Sequence, residues 1–293
     1  MLTLIVAVPV IAAALIGLLK TPGKPTAIIA AAVMLILSAC AIFGCNADCG
    51  SSCTDATALC NLSLDLPLSK IMLALTVLVT FGAALGLKAP NSAADRSWAI
   101  STLLISAGAA GAFMSDNLIS FYGFHELALI PTFVMIGYYG RGDRRTIAWT
   151  TTIYLGLASM VLLAGILLLG FSLDAWSFSA IVARVNGFAA VGCAPYMSES
   201  GASIATIVGL LLLIGFGTLV SLFPFHSWAA PAYASAPTPV AMMHAGVLKK
   251  FGLYGLFTLA WAMGPLVGYY FGDWVNLLLV LLLGNILWVG YVT

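Results

Sequence analysis

Phe223-Pro224-Phe225-His226-Ser227-Trp228-Ala229-Ala230-Pro231-Ala232-Tyr233-Ala234-Ser235-Ala236-Pro237-Thr238-Pro239 carries four prolines in sixteen residues, from Pro224 to Pro239. Proline lacks the backbone N–H and its ring clashes with the preceding turn, so this stretch is not one continuous helix. Apolar runs long enough to cross a bilayer flank it, at 204–223 and 240–263. Backbone released from a helix at membrane depth is tolerated only inside protein or beside water, and interrupted helices of this kind mark transport sites. The apolar part, 223–228, reads as the broken end of a span, while 229–236 is compatible with an ordinary loop.

The composition outside this stretch agrees with a membrane chain. Of 293 residues, 62% are hydrophobic and 7% charged, against about 25% charged in a typical soluble domain. Mean hydropathy is +1.10. There are too few polar groups to coat a water-facing surface, which excludes a soluble enzyme, a disordered chain and a secreted disulfide miniprotein. Eleven basic against ten acidic side chains, a net charge of +1, give no electrostatic footprint for nucleic acid.

A spanning helix needs roughly 20 mostly apolar residues. Nine such segments run over 2–19, 26–43, 68–87, 98–114, 118–139, 147–171, 204–223, 240–263 and 274–293. The alternating strands of a membrane barrel are not seen in the sequence. The expected fold is an all-α polytopic membrane protein, with 1–293 forming a single transmembrane domain. The first segment lacks a basic start and a small-residue exit, and reads as a retained helix rather than a signal peptide.

Alternate loops fall on opposite sides of the membrane. One side holds Lys20, Lys24, Lys88, Arg96, Arg141, Arg144 and Arg145; the other holds Arg184 with Asp48, Asp55, Asp65, Asp174, Glu199 and Asp273. Basic residues accumulate on the cytoplasmic side, so the N-terminus is expected outside and the loop bearing Arg141, Arg144 and Arg145 inside. Cys45, Cys49, Cys53 and Cys60 then lie in or beside an external loop, where an oxidising compartment permits disulfides. Their spacing leaves disulfides, free thiols or a metal site open. Cys40 and Cys193 read as small apolar fillers.

The ionisable residues inside spans are the informative ones, because each costs at least about 2.5–3.5 kcal/mol to insert at mid-bilayer. Glu126 lies near the middle of the fifth span, within Phe121-Tyr122-Gly123-Phe124-His125-Glu126-Leu127-Ala128-Leu129-Ile130-Pro131, and Pro131 should loosen the helix after it. How tightly a carboxylate holds a proton depends on how close a cation sits, so a moving lysine can switch it between loading and release. A static Glu–Lys pair tying helices together is the competing reading. Lys249 and Lys250 lie in the eighth span; adjacent helical positions point about 100° apart, so one site does not easily take both. His244 precedes them, and histidine titrates near neutrality. A hydrogen-bonded structural role is its alternative. Asp116 stands near a helix end, and Lys70 lies within the third span.

These two stretches resemble the antiporter-like proton-channel subunits of respiratory complex I, most closely the M-type subunit, chain 4 of NADH:quinone oxidoreductase. The matching residues are 117–131, with the pattern F-Y-x-F-x-E-x-x-L-I-P, and 223–255, with F-P-F-H-S-W and then S-A-P-T-P-V-A-M-M-H-A-G-V-L-K-K-F-G-L-Y-G. The resemblance implies an antiporter-like bundle of fourteen helices in two inverted five-helix repeats, each with a broken helix. Nine fall within this chain, the seventh being broken, so the chain is expected to be the N-terminal part of a longer subunit and not to pump by itself. It implies proton translocation driven by distant quinone reduction, with the essential glutamate at Glu126, the eighth-helix lysine at Lys250 and the aspartate of the fifth helix at Asp116. His226 and Trp228 match the polar turn after the break, and His244 matches a histidine of L-type relatives. One departure is clear: the seventh-helix lysine that usually partners the glutamate is replaced by Leu219. Lys249, His244 or Lys70 are candidates to substitute.

No nucleotide-binding fingerprint, P-loop or iron–sulfur cysteine cluster is present in the sequence. The chain is expected to hold no cofactor, with NADH, FMN, iron–sulfur centres and quinone handled by partner subunits of the membrane complex. It is expected in the inner membrane, in contact with lipid and other membrane-arm subunits. A subunit of a multisubunit Na+/H+ antiporter, or a membrane scaffold with structural charge pairs, are the alternatives.

Overall fold

The structure, a computed structural model, describes the backbone of residues 1–44, 54–57, 60–88, 91–191, 199–270 and 272–292. Side chains are described in the same set apart from 54–57, 60–61, 185–191, 199–206, 260–270, 272–275, 277, 278, 289 and 292. Contacts divide the chain into two compact units: Met1–Thr152 with Pro231–Phe251, and Ile153–Ala230 with Gly252–Thr293.

The first unit contains α1 (Leu2–Leu19), α2 (Gly23–Gly44), α3 (Pro67–Leu85), α4 (Ser92–Met114), α5 (Leu118–Tyr139) and the start of α6 (Arg144–Leu173). A short antiparallel hairpin, β1 (Thr54–Thr57) and β2 (Cys60–Ser63), joins α2 to α3. The helices start where the sequence supplies caps. Asn91 Oδ1 accepts from Ala94 N at 2.8 Å, and Asn117 Oδ1 accepts from Ile119 N and Ser120 N. Such caps satisfy N–H groups that have no carbonyl partner in the first turn. The start of α2 is capped from another helix: Asp95 Oδ2, on α4, accepts from Gly23 N and Lys24 N.

Helix α4 is the centre of this unit and packs on α1, α2, α3 and α5. Every residue from 105 to 114 is buried. Its small residues make that possible: a methyl added at Gly108 would meet the Phe124 carbonyl and Ala128, and one at Gly111 would meet the Phe124 ring. Small-residue faces let helix backbones approach closely in a bilayer.

The second unit holds the rest of α6, α7 (Phe178–Val191), α8 (Glu199–Val220) and α12 (Gly272–Val292). Here α6 and α8 meet through glycines, Gly165 against Leu211 and Gly215 against Leu162. Helix α8 ends in a left-handed reverse turn. Leu222 N donates to Gly217 O and Ser221 N to Thr218 O, while Ser221 takes φ of 65°, the pairing of a Schellman cap. The buried indole of Trp228 returns to the same turn, and its Nε1 donates to Thr218 O at 3.1 Å.

After the break come α9 (Ala229–Ser235), α10 (Thr238–Met243), a five-residue π-helical turn (His244–Leu248) and α11 (Lys249–Tyr270). Ser235 secures α9 to the α5–α6 connection, because its carbonyl accepts from Arg141 N and its hydroxyl donates to Arg141 O.

Among the described residues, six helices, α1 to α6, are long and apolar enough to cross a membrane, with shorter apolar helices at Ile207–Val220 and Leu279–Trp288. The expected spans at 2–19 and 118–139 coincide with α1 and α5. The expected eighth span is instead divided between α10, the π turn and α11. Helix α7 and the β hairpin are additions that the apolar pattern did not announce. Large side chains such as Leu18, Ile29, Phe43, Leu78 and Ile130 lie exposed on the helices, as lipid-facing positions do. Cys45, Cys49, Cys53, Cys193 and Asp48 lie outside the described residues, and of Cys60, Glu199 and Asp273 only the backbone is described.

Candidate functional site

Glu126 is the ninth residue of α5, about 12 Å along the helix axis from its start. Pro131 lies inside the same helix, so the carbonyl of Leu127, four residues earlier, loses its usual N–H partner. The Glu126 side chain is 35% exposed and its neighbour His125 is fully buried, with His125 Nδ1 3.5 Å from Glu126 Oε1. His125 points into the first unit, where its ring meets the Phe251 ring edge-on at 5.3 Å. Phe251 also packs on Phe113 and Phe121. The imidazole therefore lies between the helix bearing Glu126 and the helix that begins with Lys249 and Lys250.

The two lysines take different partners. Lys249 Nζ lies 4.9 Å above the Tyr233 ring, a cation–π distance. The Tyr233 hydroxyl is 3.1 Å from Nδ1 of His244, which is buried. Tyr233, on α9, thus gathers Lys249 and His244 into one cluster. Lys250 Nζ donates to Ala245 O at 3.0 Å. The π turn explains that carbonyl's availability. Lys249 N donates to His244 O, one residue further back than the Ala245 carbonyl it would take in an α-helix. Single π turns inside helices occur frequently at functional sites.

Asp116 lies half-buried between α4 and the Asn117 cap of α5. Lys70 lies half-buried in the first turn of α3. His226 belongs to the second unit, where its ring stacks on Phe223 at 5.7 Å and lies 6.4 Å from that of Trp288. Leu219 is an apolar core residue of α8, 4% exposed. Among the described residues, no group of three or more His, Cys, Asp or Glu side chains could hold a metal ion. Two members of these clusters, Tyr233 and His125, were not singled out from sequence. Tyr233 sits in a stretch compatible with a loop, and His125 is hidden beside the more conspicuous glutamate.

A family profile described as NADH:quinone oxidoreductase/Mrp antiporter, transmembrane, matches residues 115–290, more than half of the chain. The chain belongs to that family. It is 31% identical over 170 residues to an NAD(P)H-quinone oxidoreductase chain 4 from Microcystis aeruginosa, a match covering 58% of this chain and 29% of the relative. Its fold is similar to a chain of respiratory complex I from Thermus thermophilus with bound NADH, at a TM-score of 0.75 and 24% identity, covering 96% of this chain and 56% of that one. It is also similar to a chain of the Mrp complex from Dietzia sp. DQ12-45-1b, at a TM-score of 0.71 and 21% identity, covering 88% and 48%. The matched stretch spans less than a third of the curated relative's length. The chain is a multi-pass membrane protein with the antiporter-like fold.

Proposed function

We propose that this chain acts as a proton-translocating membrane-arm subunit of an oxidoreductase that reduces quinone with NADH or a related donor. The observation that carries the reading is the arrangement within one unit of a family member. A mid-helix carboxylate, Glu126, adjoins a buried imidazole, and a lysine–tyrosine–histidine cluster surrounds a π turn. In this reading Asp116 lies on the approach to Glu126, and Glu126 carries the proton. Lys249, Lys250 and His244 change its hold on that proton, and His226 is the candidate proton-carrying group of the second unit. Redox chemistry, with NADH, FMN, iron–sulfur centres and quinone, belongs to partner subunits. The seven-to-one bias of basic loop residues supports an N-terminus outside and Arg141, Arg144 and Arg145 in the cytoplasm of an inner-membrane protein.

The test is Glu126→Gln in the full-length subunit within its intact complex, reconstituted in proteoliposomes with redox turnover and internal pH recorded together. Both rates should fall. Wild-type values for both would leave the charges as structural pairs and the subunit as a scaffold. A second reading, a subunit of a multisubunit Na+/H+ antiporter, is favoured by the likeness to the Mrp chain. Proton movement driven by a sodium gradient without quinone reduction would select it.

A further inference from the structure

His125 is an ionisable group that the Glu126–lysine scheme leaves without a task. It is fully buried, and neither ring nitrogen hydrogen-bonds to a described residue. Buried polar atoms are nearly always paired, since an unpaired one forfeits its hydration for nothing in return. Packing does not ask for an imidazole here. Its ring neighbours include Phe251 at 5.3 Å and Tyr122 at 6.3 Å between centroids, contacts that a phenylalanine would make as well. What the imidazole adds is Nδ1, 3.5 Å from a Glu126 carboxylate oxygen. That separation is within ion-pair reach, and about 0.6–0.8 Å of closure makes it a charge-assisted hydrogen bond.

We propose that His125 exchanges a proton with Glu126 and, when doubly protonated, is the cation beside that carboxylate. The inference rests on Glu126 being the proton carrier of α5. In the exchange the Nδ1–H bond of the imidazolium breaks and an O–H bond forms at Oε1. Nε2 keeps its hydrogen, and the pair stays neutral throughout. A lysine would offer a fixed charge, whereas an imidazole can give up its second proton and take it back, so the positive charge that His125 sets beside Glu126 is present only while His125 is doubly protonated.

The groups facing His125 fit this role. From α5 they are Tyr122 and Glu126. From α11 it is Phe251, preceded by Lys250, whose ammonium donates to Ala245 O. Helix α4, which packs along α5, carries its ionisable residues Asp95 and Arg96 near its start, remote in sequence from the segment at Gly108 and Gly111 that meets Phe124.

The experiment compares Glu126→Gln, His125→Gln, His125→Phe and His125→Lys in the full-length subunit of the intact complex. Proton transport is followed as a function of pH, and co-purification of the other subunits serves as the assembly check. Glu126→Gln, His125→Gln and His125→Phe should each lower transport at least about tenfold. His125→Lys, which supplies the cation but not the exchange, should recover only part of the transport lost in His125→Gln and flatten its pH profile. Wild-type rates and pH profile in His125→Gln, with Glu126→Gln inactive, overturn this inference and leave Glu126 as the carrier. Wild-type transport in Glu126→Gln overturns the underlying reading instead. If His125→Phe does not assemble, His125→Gln, similar in length and polarity, decides. Loss in His125→Gln with no rescue by lysine and an unchanged profile in the residual activity marks a structural role and also overturns the inference.

Discussion

Trp228 donates its indole N–H to the carbonyl of Thr218 across 3.1 Å, so the residue that follows the break in the chain closes the helix that precedes it. Thr218 O lies in the last turn of α8, where carbonyls run out of helical partners. Together with the turn at Ser221, this indole lets an apolar helix end at a buried position without leaving its backbone bare.

Trp228→Phe keeps most of the buried ring and removes the N–H. The solubilised protein should lose about 1–3 kcal/mol of stability, read as a lower midpoint in denaturant unfolding. An unchanged midpoint would mean that the Ser221 turn alone satisfies the end of α8.

Asp95 caps α2 through Gly23 N at 2.8 Å and Lys24 N at 3.1 Å. Asp95→Ala should cost about 0.5–2 kcal/mol, and Asp95→Asn, which still accepts, should cost less. Gly23→Ala should be at least as harmful as Asp95→Ala, because its methyl would press on the Asp95 backbone as well as its carboxylate. Thermal unfolding of the three variants orders them, and equal midpoints for Asp95→Ala and the unsubstituted chain would remove the cap from the account.

Tyr233 offers a ring face to Lys249 and a hydroxyl to His244. Tyr233→Phe should shift the ring-nitrogen NMR signals of His244 while costing about 1 kcal/mol. Tyr233→Leu should cost a further ~0.5–2 kcal/mol by removing the cation–π contact. Identical His244 spectra in the tyrosine and phenylalanine proteins would show that the hydroxyl does not hold the imidazole.

Much of the fold was legible because lipid imposes a simple code. Apolar runs of spanning length located α1 and α5 to the residue, and the prolines after Phe223 located the break. Helix α7 was missed because its 14 residues fall short of a span and include Arg184. The π turn was missed because an inserted residue leaves no mark in composition, and the stretch from Thr238 onward reads as one apolar segment. In the site, Glu126, Lys249, Lys250 and His244 stood out as charges among apolar neighbours. The contacts of Tyr233 and the direction of His125 depend on which helices pack together, and the linear pattern does not carry that.

The five residues of the π turn also act as a phase shift. Seen down the axis, an extra residue turns everything beyond it by about 100° relative to an uninterrupted α-helix. Lys249 and Lys250 follow directly after that turn, and adjacent positions differ by that same angle. That Lys249 addresses Tyr233 is therefore settled upstream, between His244 and Leu248: in an unbroken α-helix of the same sequence Leu248 would bond to the His244 carbonyl and hold the place Lys249 now takes, and a one-residue deletion there would close the bulge while leaving Lys249 where it is.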